Sequence, residues 1–201
     1  GNLWRTTLDI SANWASIVAI YEQNVRLAKH AGPGGWNDPD MLEVGVGSLS
    51  MEENKTHFSL WCMMAAPLIL GNDVRKFLKE DGSVDTDNKV LEILTNKNLI
   101  AIDQDKLGKQ AKRIFTDGVS DILVKPLENG ETALCFFNKG NTQREMSVTF
   151  NKLHNDIYVN LPIVDEYVAK DLWTNEETTV KEKISASVAP HGVMVYKIKS
   201  K

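Results

Sequence analysis

The chain has 201 residues, of which 42% are hydrophobic and 25% are charged, a composition typical of a globular protein with one or two domains. Its formal net charge of −4 argues against nucleic acid as a partner, because nucleic-acid-binding proteins normally carry a basic patch. No apolar run approaches the length that spans a bilayer, so no membrane partner is expected.

The chain opens with an alternation of strands and helices. Residues 3–10 are predicted to form a short strand that ends near a carboxylate, Asp9. Apolar residues at helical spacing predict a helix over residues 14–30, which Gly32 and Pro33 end. Residues 36–44 are predicted to form the next strand and its loop.

A second helix is predicted after this loop. Ser50 and Glu53 have the spacing of a capping box, in which each side chain bonds the backbone of the other residue. The helix is expected to run to about Ala66 and to be largely buried, because its residues are apolar on nearly all sides. Pro67 ends it, and residues 68–70 are predicted to form a third, buried strand.

The predicted pattern changes from helices to strands near residue 110. Shorter helices over residues 74–79, 88–94 and 96–103 complete the first part. Strands are then predicted at residues 114–115, 121–127, 132–138, 146–150, 167–172, 178–181, 184–188 and 193–198. Many short strands with hairpin turns favour an antiparallel β-sandwich. We therefore predict one unit over residues 1–110 and a second over residues 111–201.

Two carboxylates follow the Gly- and Pro-rich entry to the second strand. Asp38 and Asp40 stand at positions i and i+2, so in a strand their side chains point to the same side. Pro39 between them favours a strand end over a central strand. The alternative is an Asp-Pro-Asp turn with solvated carboxylates, which the spacing alone favours because Asp and Pro are ordinary turn residues.

Long ordered motifs connect the chain to a known family. Residues 4–10 (WRTTLDI) and 32–42 (GPGGWNDPDML) resemble glycoside hydrolase family 27, which contains α-galactosidases and α-N-acetylgalactosaminidases. The resemblance continues at residues 57–61, 66–68, 72–75, 100–105, 107–110, 171–173 and 189–192. It therefore extends over nearly the whole chain.

The resemblance implies a fold. The three strand–helix steps correspond to the last three of a (β/α)₈ barrel, and an antiparallel β-sandwich follows them. A complete barrel needs eight steps and typically about 250 residues. We therefore expect the chain to be the later part of a longer protein, whose upstream barrel steps are its partner, and a homo-oligomer is left open.

The resemblance also implies a retaining reaction that removes terminal α-linked galactose. Asp9 matches the general acid/base, and Arg5, Asp40 and Met41 match the substrate-binding residues. The family's nucleophile lies on the fourth strand, in a motif that this sequence does not contain. Asp9 is expected to be partly buried, so that it keeps the proton that it donates. No cofactor or metal is implied.

Two other functions stay open at this point. One is α-N-acetylgalactosaminidase activity, since that choice depends on a loop after the fifth strand. The other is a non-catalytic carbohydrate-binding remnant, which the lack of a nucleophile favours and the intact Arg5, Asp9 and Asp40 oppose. Without the resemblance, Asp9 reads as an ordinary helix-start carboxylate and Arg5 as a member of a surface ion pair.

Two residue types elsewhere are assigned structural roles. Cys62 and Cys135 lie in apolar runs far apart in the sequence and are predicted to be buried free thiols. His57 and His191 have no nucleophile beside them in the sequence, so both are predicted to be structural.

Overall fold

A computed structural model describes residues 1–201. The first two strands of the chain are parallel and pair with each other. These are β1 (Leu3–Arg5) and β2 (Trp36–Asp38). Each is followed by a helix, α1 (Trp14–Asn24) after β1 and α2 (Met51–Met63) after β2. The order strand–helix–strand–helix confirms the predicted alternation.

The first helix is capped at its start and tightens at its end. Asn13 is the N-cap, and its side chain accepts a hydrogen bond from the backbone N–H of Ser16 at 3.0 Å. After Asn24 the chain continues as a 3₁₀ helix over Val25–His30. The predicted helix over residues 14–30 is therefore present, but its last part has the narrower 3₁₀ geometry.

The second helix begins at the predicted capping box. The Glu53 N–H donates to Ser50 Oγ at 3.2 Å, and the Ser50 N–H donates to Glu53 Oε2 at 2.7 Å. The helix is buried over nearly its whole length, as predicted, although several of its buried residues are polar. Its buried members are Asn54, Thr56, His57, Phe58, Ser59, Leu60, Trp61, Cys62 and Met63.

We expect Ser50→Ala to lower the free energy of unfolding by about 0.5–2 kcal/mol, because it removes the acceptor for a first-turn N–H. Urea unfolding followed by circular dichroism measures this change. Ser48→Ala is the matched control, since the exposed Ser48 caps no helix, and it should change stability by less than about 0.5 kcal/mol. Equal effects of the two substitutions would contradict the capping role.

The third step is less regular than predicted. Residues 68–70 form no full strand; Leu70 makes a single parallel bridge to Leu42. A 3₁₀ turn over Val74–Phe77, capped by Asp73, takes the place of the helix predicted at residues 74–79, since the backbone is already extended at Leu78. The helices α3 (Lys89–Leu94) and α4 (Lys97–Asp103) follow as predicted.

The second part of the chain is a two-layered β-structure. Its strands are β3 (Lys112–Thr116), β4 (Ser120–Pro126), β5 (Thr132–Asn138), β6 (Arg144–Thr149), β7 (Tyr167–Asp171), β8 (Glu177–Val180), β9 (Lys183–Val188) and β10 (Val193–Ser200). Six of them form an antiparallel sheet in the order β3-β4-β5-β10-β7-β8, and β6 pairs with β9 in the other layer. All eight predicted strands are present.

One short helix in this part has no counterpart in the prediction. The helix α5 (Phe150–His154) follows β6 directly, and Thr149 caps it by accepting the N–H of Lys152. Phe150 and Leu153 of this helix are buried in the core of the sandwich. At five residues, the helix is too short for its periodicity to stand out from the strand before it.

The six-stranded sheet is buried on both faces at its central strands β4 and β5. One face packs on the helices of the first part, in a core of 27 buried residues that includes Leu123, Ala133 and Phe137 of the sheet. The other face packs on β6 and β9 in a core of 15 buried residues. The predicted fold class, three barrel steps followed by a β-sandwich, is confirmed. The boundary near residue 110 stays a prediction.

Two further observations concern the chain as a whole. Cys62 and Cys135 are both free and buried, as predicted. Each helix falls short of the length or the apolar character that crossing a membrane requires.

Candidate active site

Asp40 lies at the centre of a polar cluster at the carboxyl end of β2. Its backbone has φ of +84°, a left-handed conformation that Asp adopts more readily than most residues. Its Oδ2 accepts hydrogen bonds from Arg5 Nη2 and from the Ile10 N–H, both at 2.8 Å. Its Oδ1 accepts the N–H of Met41 at 2.8 Å. The Asp40 carboxylate therefore ties the end of β2 to the end of β1.

Arg5 connects the two carboxylates that the sequence singled out. The same Nη2 that donates to Asp40 also donates to Asp9 Oδ1 at 3.2 Å. The Asp9 side chain is 98% exposed, so the expected partial burial is not met within this chain. Arg5 ends β1, and Asp9, Asp40 and Met41 follow the carboxyl ends of β1 and β2, the end of the strands at which the active sites of barrel enzymes lie.

Arg5 brings the Asp9 and Asp40 carboxylates close together, but Asp40 is poorly suited to be the nucleophile of a retaining glycosidase. Both carboxylates contact the same nitrogen, so their oxygens lie within the sum of two hydrogen bonds. Retaining enzymes hold their two carboxyl groups about 5–5.5 Å apart. The Asp40 side chain, however, is only 10% exposed, and both its oxygens already accept hydrogen bonds.

Asp38 supports the turn that presents Asp40. Its Oδ1 accepts the backbone N–H of Asp40 at 2.9 Å, across the intervening Pro39. Its backbone carbonyl accepts the N–H of Thr6 at 2.9 Å, which holds β1 against β2. These contacts favour a supporting role for Asp38 over the alternative in which both carboxylates face one cavity.

Asn37 was not singled out from the sequence, but its buried side chain links β2 to β1 and to more distant parts of the chain. Its Oδ1 accepts the indole N–H of Trp4 at 2.9 Å, and its Nδ2 donates to the carbonyl of Leu27 and to Gln110 Oε1, both at 2.9 Å. Asn37 is 1% exposed, and a buried amide of this kind needs such partners. The sequence offered one signal for it, an Asn between Trp36 and Asp38 in a predicted strand.

A cleft of about 510 Å³ lies away from this cluster. Leu3 and Trp36, at the amino ends of β1 and β2, line it together with residues of the α4 exit such as Asp103. Barrel enzymes bind substrate at the carboxyl ends of their strands. The cleft is therefore a poor candidate for the substrate site.

Both histidines have structural contacts. His57 is fully buried, and its Nε2 accepts the N–H of Glu43 at 2.9 Å. His191 stacks on Trp14 with ring centroids 4.4 Å apart, and its Nδ1 lies 2.7 Å from Glu53 Oε1. No group of three or more His, Cys, Asp or Glu side chains is arranged to hold a metal ion.

Comparison with known proteins extends over both parts of the chain. A sequence profile described as "Alpha galactosidase A" matches residues 1–105, and one described as "Alpha galactosidase C-terminal beta sandwich domain" matches residues 117–198. Alpha-galactosidase 2 of Arabidopsis thaliana is 39% identical over 197 residues, which are 98% of this chain and 46% of that protein. The alpha-galactosidase of Oryza sativa subsp. japonica is 39% identical over 196 residues, 98% of this chain and 43% of that protein.

A solved structure agrees with the sequence matches. The crystal structure of alpha-galactosidase I from Mortierella vinacea superimposes with a TM-score of 0.86 at 30% identity, over 98% of this chain and 53% of that one. Fold and sequence together define the class, and the chain belongs to the α-galactosidase family, glycoside hydrolase family 27. It spans less than half the length of the two plant relatives.

Proposed function

We propose that this chain supplies the general acid/base and part of the sugar pocket of a retaining α-galactosidase. Its substrate is a terminal α-linked galactose on an oligosaccharide or glycoconjugate. The nucleophile comes from the first five steps of the same barrel, which are the chain's partner in this proposal. The chain alone is expected to be inactive, because retention needs two carboxyl groups on opposite sides of the glycosidic bond.

One observation carries the proposal, the contact of a single Arg5 nitrogen with both Asp9 and Asp40 at the carboxyl ends of β1 and β2. Arg5 is a permanent cation with several donors, which suits it to sugar hydroxyls as well as to carboxylates. The Asp9 side chain has Arg5 as its one hydrogen-bond partner and is 98% exposed, just beyond the carboxyl end of β1. It can therefore reach a glycosidic oxygen.

Asp40 and Met41 have different roles in the proposed pocket. Asp40 orients Arg5 and the backbone of Ile10, next to Asp9, and its remaining hydrogen-bonding capacity is small. Met41 is 38% exposed beside it and offers an apolar surface to the less polar face of a sugar ring.

The test is an assay of this chain joined to the first five barrel steps, on nitrophenyl α-galactoside and nitrophenyl N-acetyl-α-galactosaminide. Preferential hydrolysis of the galactoside with retention at the anomeric carbon is expected. Preference for the N-acetylated substrate would favour the second activity of the family. Hydrolysis of neither, with sugar binding intact, would favour a carbohydrate-binding remnant.

We expect Asp40→Asn to lower kcat/KM of the joined protein by about 10- to 100-fold, since a hydrogen bond to a charged group contributes about 1.5–3 kcal/mol. Asn keeps the size of the side chain and tolerates the left-handed backbone, so the fold should persist. Steady-state kinetics and a thermal melt measure the two effects separately. A fall in melting temperature with unchanged kcat/KM would contradict the orienting role.

A further inference from the structure

A second acidic side chain lies beside the proposed pocket, at Glu43. We propose that the Glu43 carboxylate accepts a hydrogen bond from a hydroxyl of the sugar to which the galactose is attached, and so contributes to recognition of the leaving group. The inference rests on the proposed function. It assigns a specificity role to a residue that no motif of the sequence singled out.

The alternation of buried and exposed residues after β2 places Glu43 on the same side as Met41. Leu42 and Val44 are both 0% exposed and pack in the core with α2. Met41 and Glu43 alternate with them and are at least partly exposed. Side chains two residues apart in an extended segment point to one side. Glu43 therefore lies on the same side of this segment as Met41, two residues further from the end of β2.

The close approach of Gly71 locates the Glu43 carboxyl group. A Cβ atom at Gly71 would lie 3.0 Å from Glu43 Oε1 and 3.0 Å from Met41 Sδ. Both side chains therefore extend over this glycine, at the point where residues 68–70 end. The Glu43 carboxyl oxygen therefore lies near the thioether of Met41, which the proposed function places in the sugar pocket.

The Glu43 carboxyl group has acceptor capacity to offer a ligand. None of the hydrogen bonds or ion pairs of the chain involves its oxygens, although the residue is partly buried. Burial, and then the negative charge of Asp40, raise the pKa of Glu43. A partly buried carboxylate without donors is unfavourable, and the hydroxyls of a sugar would supply the donors.

The backbone of Glu43 is held rigidly, as a recognition residue requires. Its N–H donates to His57 Nε2 at 2.9 Å, and burial lowers the pKa of His57 to about 3, so the ring stays a neutral acceptor. The His57 ring meets Trp61 edge-on at 4.1 Å, and the Trp61 indole N–H donates to the Asp40 carbonyl at 2.8 Å. The same buried pair thus positions Asp40 and Glu43 together.

The experiment compares two substrates with the joined protein, an α-galactosyl disaccharide and nitrophenyl α-galactoside, whose leaving group has no sugar hydroxyl. Glu43→Ala is expected to lower kcat/KM for the disaccharide about 10- to 100-fold more than for the nitrophenyl substrate, mainly through KM. Glu43→Gln keeps an acceptor oxygen and should recover part of the loss. Glu145→Gln, at an exposed position on β6, is the matched control and should affect neither substrate.

The outcomes separate this inference from the proposed function. Equal losses on both substrates would mean that Glu43 only shapes the galactose pocket or the fold, and would overturn the inference, as would no loss on either. If the unsubstituted joined protein cleaves no α-galactoside, the proposed function fails, and the inference fails with it. A loss confined to the disaccharide supports both.

Discussion

Asp9→Asn in the joined protein is expected to slow the turnover of α-galactosides by about 10²–10⁴-fold, the usual contribution of general acid/base catalysis. Asparagine keeps the size of the side chain but has no proton to donate to the departing oxygen. The exposed position of Asp9, which has Arg5 as its one contact, means that the substitution should disturb little else. A thermal melt close to that of the unsubstituted protein is therefore expected.

The identity of the leaving group distinguishes loss of acid catalysis from general damage. Nitrophenolate departs with little protonation, so the formation of the glycosyl-enzyme should be slowed less for nitrophenyl α-galactoside than for an oligosaccharide. Azide attacks the glycosyl-enzyme without a base, so it should restore part of the second step. Rates that Asp9→Asn leaves unchanged on both substrates would refute the assignment of Asp9.

Asp121→Asn is expected to lower the free energy of unfolding by about 3–5 kcal/mol, because it breaks a buried charge cluster and removes one of the two carboxylates that partner its cations. Asp121 is 0% exposed, and its Oδ2 accepts from Tyr21 at 2.8 Å and from Arg113 and Lys139 at 3.0 Å each. Tyr21 lies on α1, whereas the other three lie in the sandwich part. The cluster therefore joins the two parts of the chain.

Glu22 shares the cations of this cluster and makes its stability depend on pH. Its carboxylate lies 2.7 Å from Lys139 Nζ and 2.8 Å from Arg113 Nη1. Burial opposes ionisation, but the hydrogen bonds from these cations outweigh it and lower the pKa of Glu22. The contribution of Glu22 should therefore be present above its unfolded pKa and be lost as the pH falls through the lowered folded pKa.

Urea unfolding at neutral pH measures the effect of Asp121→Asn, and Glu92→Gln is the control. Glu92 pairs with Lys89 at 2.9 Å on the surface of α3, with the two side chains 65% and 75% exposed. Exposed pairs of this kind contribute less than about 1 kcal/mol. Similar effects of the two substitutions would mean that the buried cluster adds nothing beyond a surface pair.

Local patterns predicted the elements whose signal is contained in a few neighbouring residues. The capping box at Ser50 and Glu53 needs only four residues to be recognised, and β6 and β9 alternate buried with more exposed positions. The prediction of a strand at residues 68–70 was wrong, because a strand needs hydrogen-bonded neighbours as well as an apolar sequence. In this chain, Leu70 has its one bridge to Leu42.

The candidate site could be predicted from the sequence as a set of residues, but not as an arrangement. The motifs named Arg5, Asp9, Asp40 and Met41, yet the contact of Arg5 with Asp40 spans 35 positions in the chain. The partnership of Tyr21 with Asp121 spans 100 positions and has no local signature. Long-range contacts of this kind depend on how the elements pack, which periodicity does not encode.

The six-stranded sheet contributes to two cores, and this limits how the sandwich can be exchanged between proteins. Along β4, Leu123 faces the barrel helices while Ile122 and Val124 face β6 and β9. The sandwich is therefore not a portable module, because a gene that encoded it alone would produce a sheet with one apolar face in water. Grafting it onto another barrel would succeed only where the new helices reproduce the surface that Phe137 and its neighbours fit.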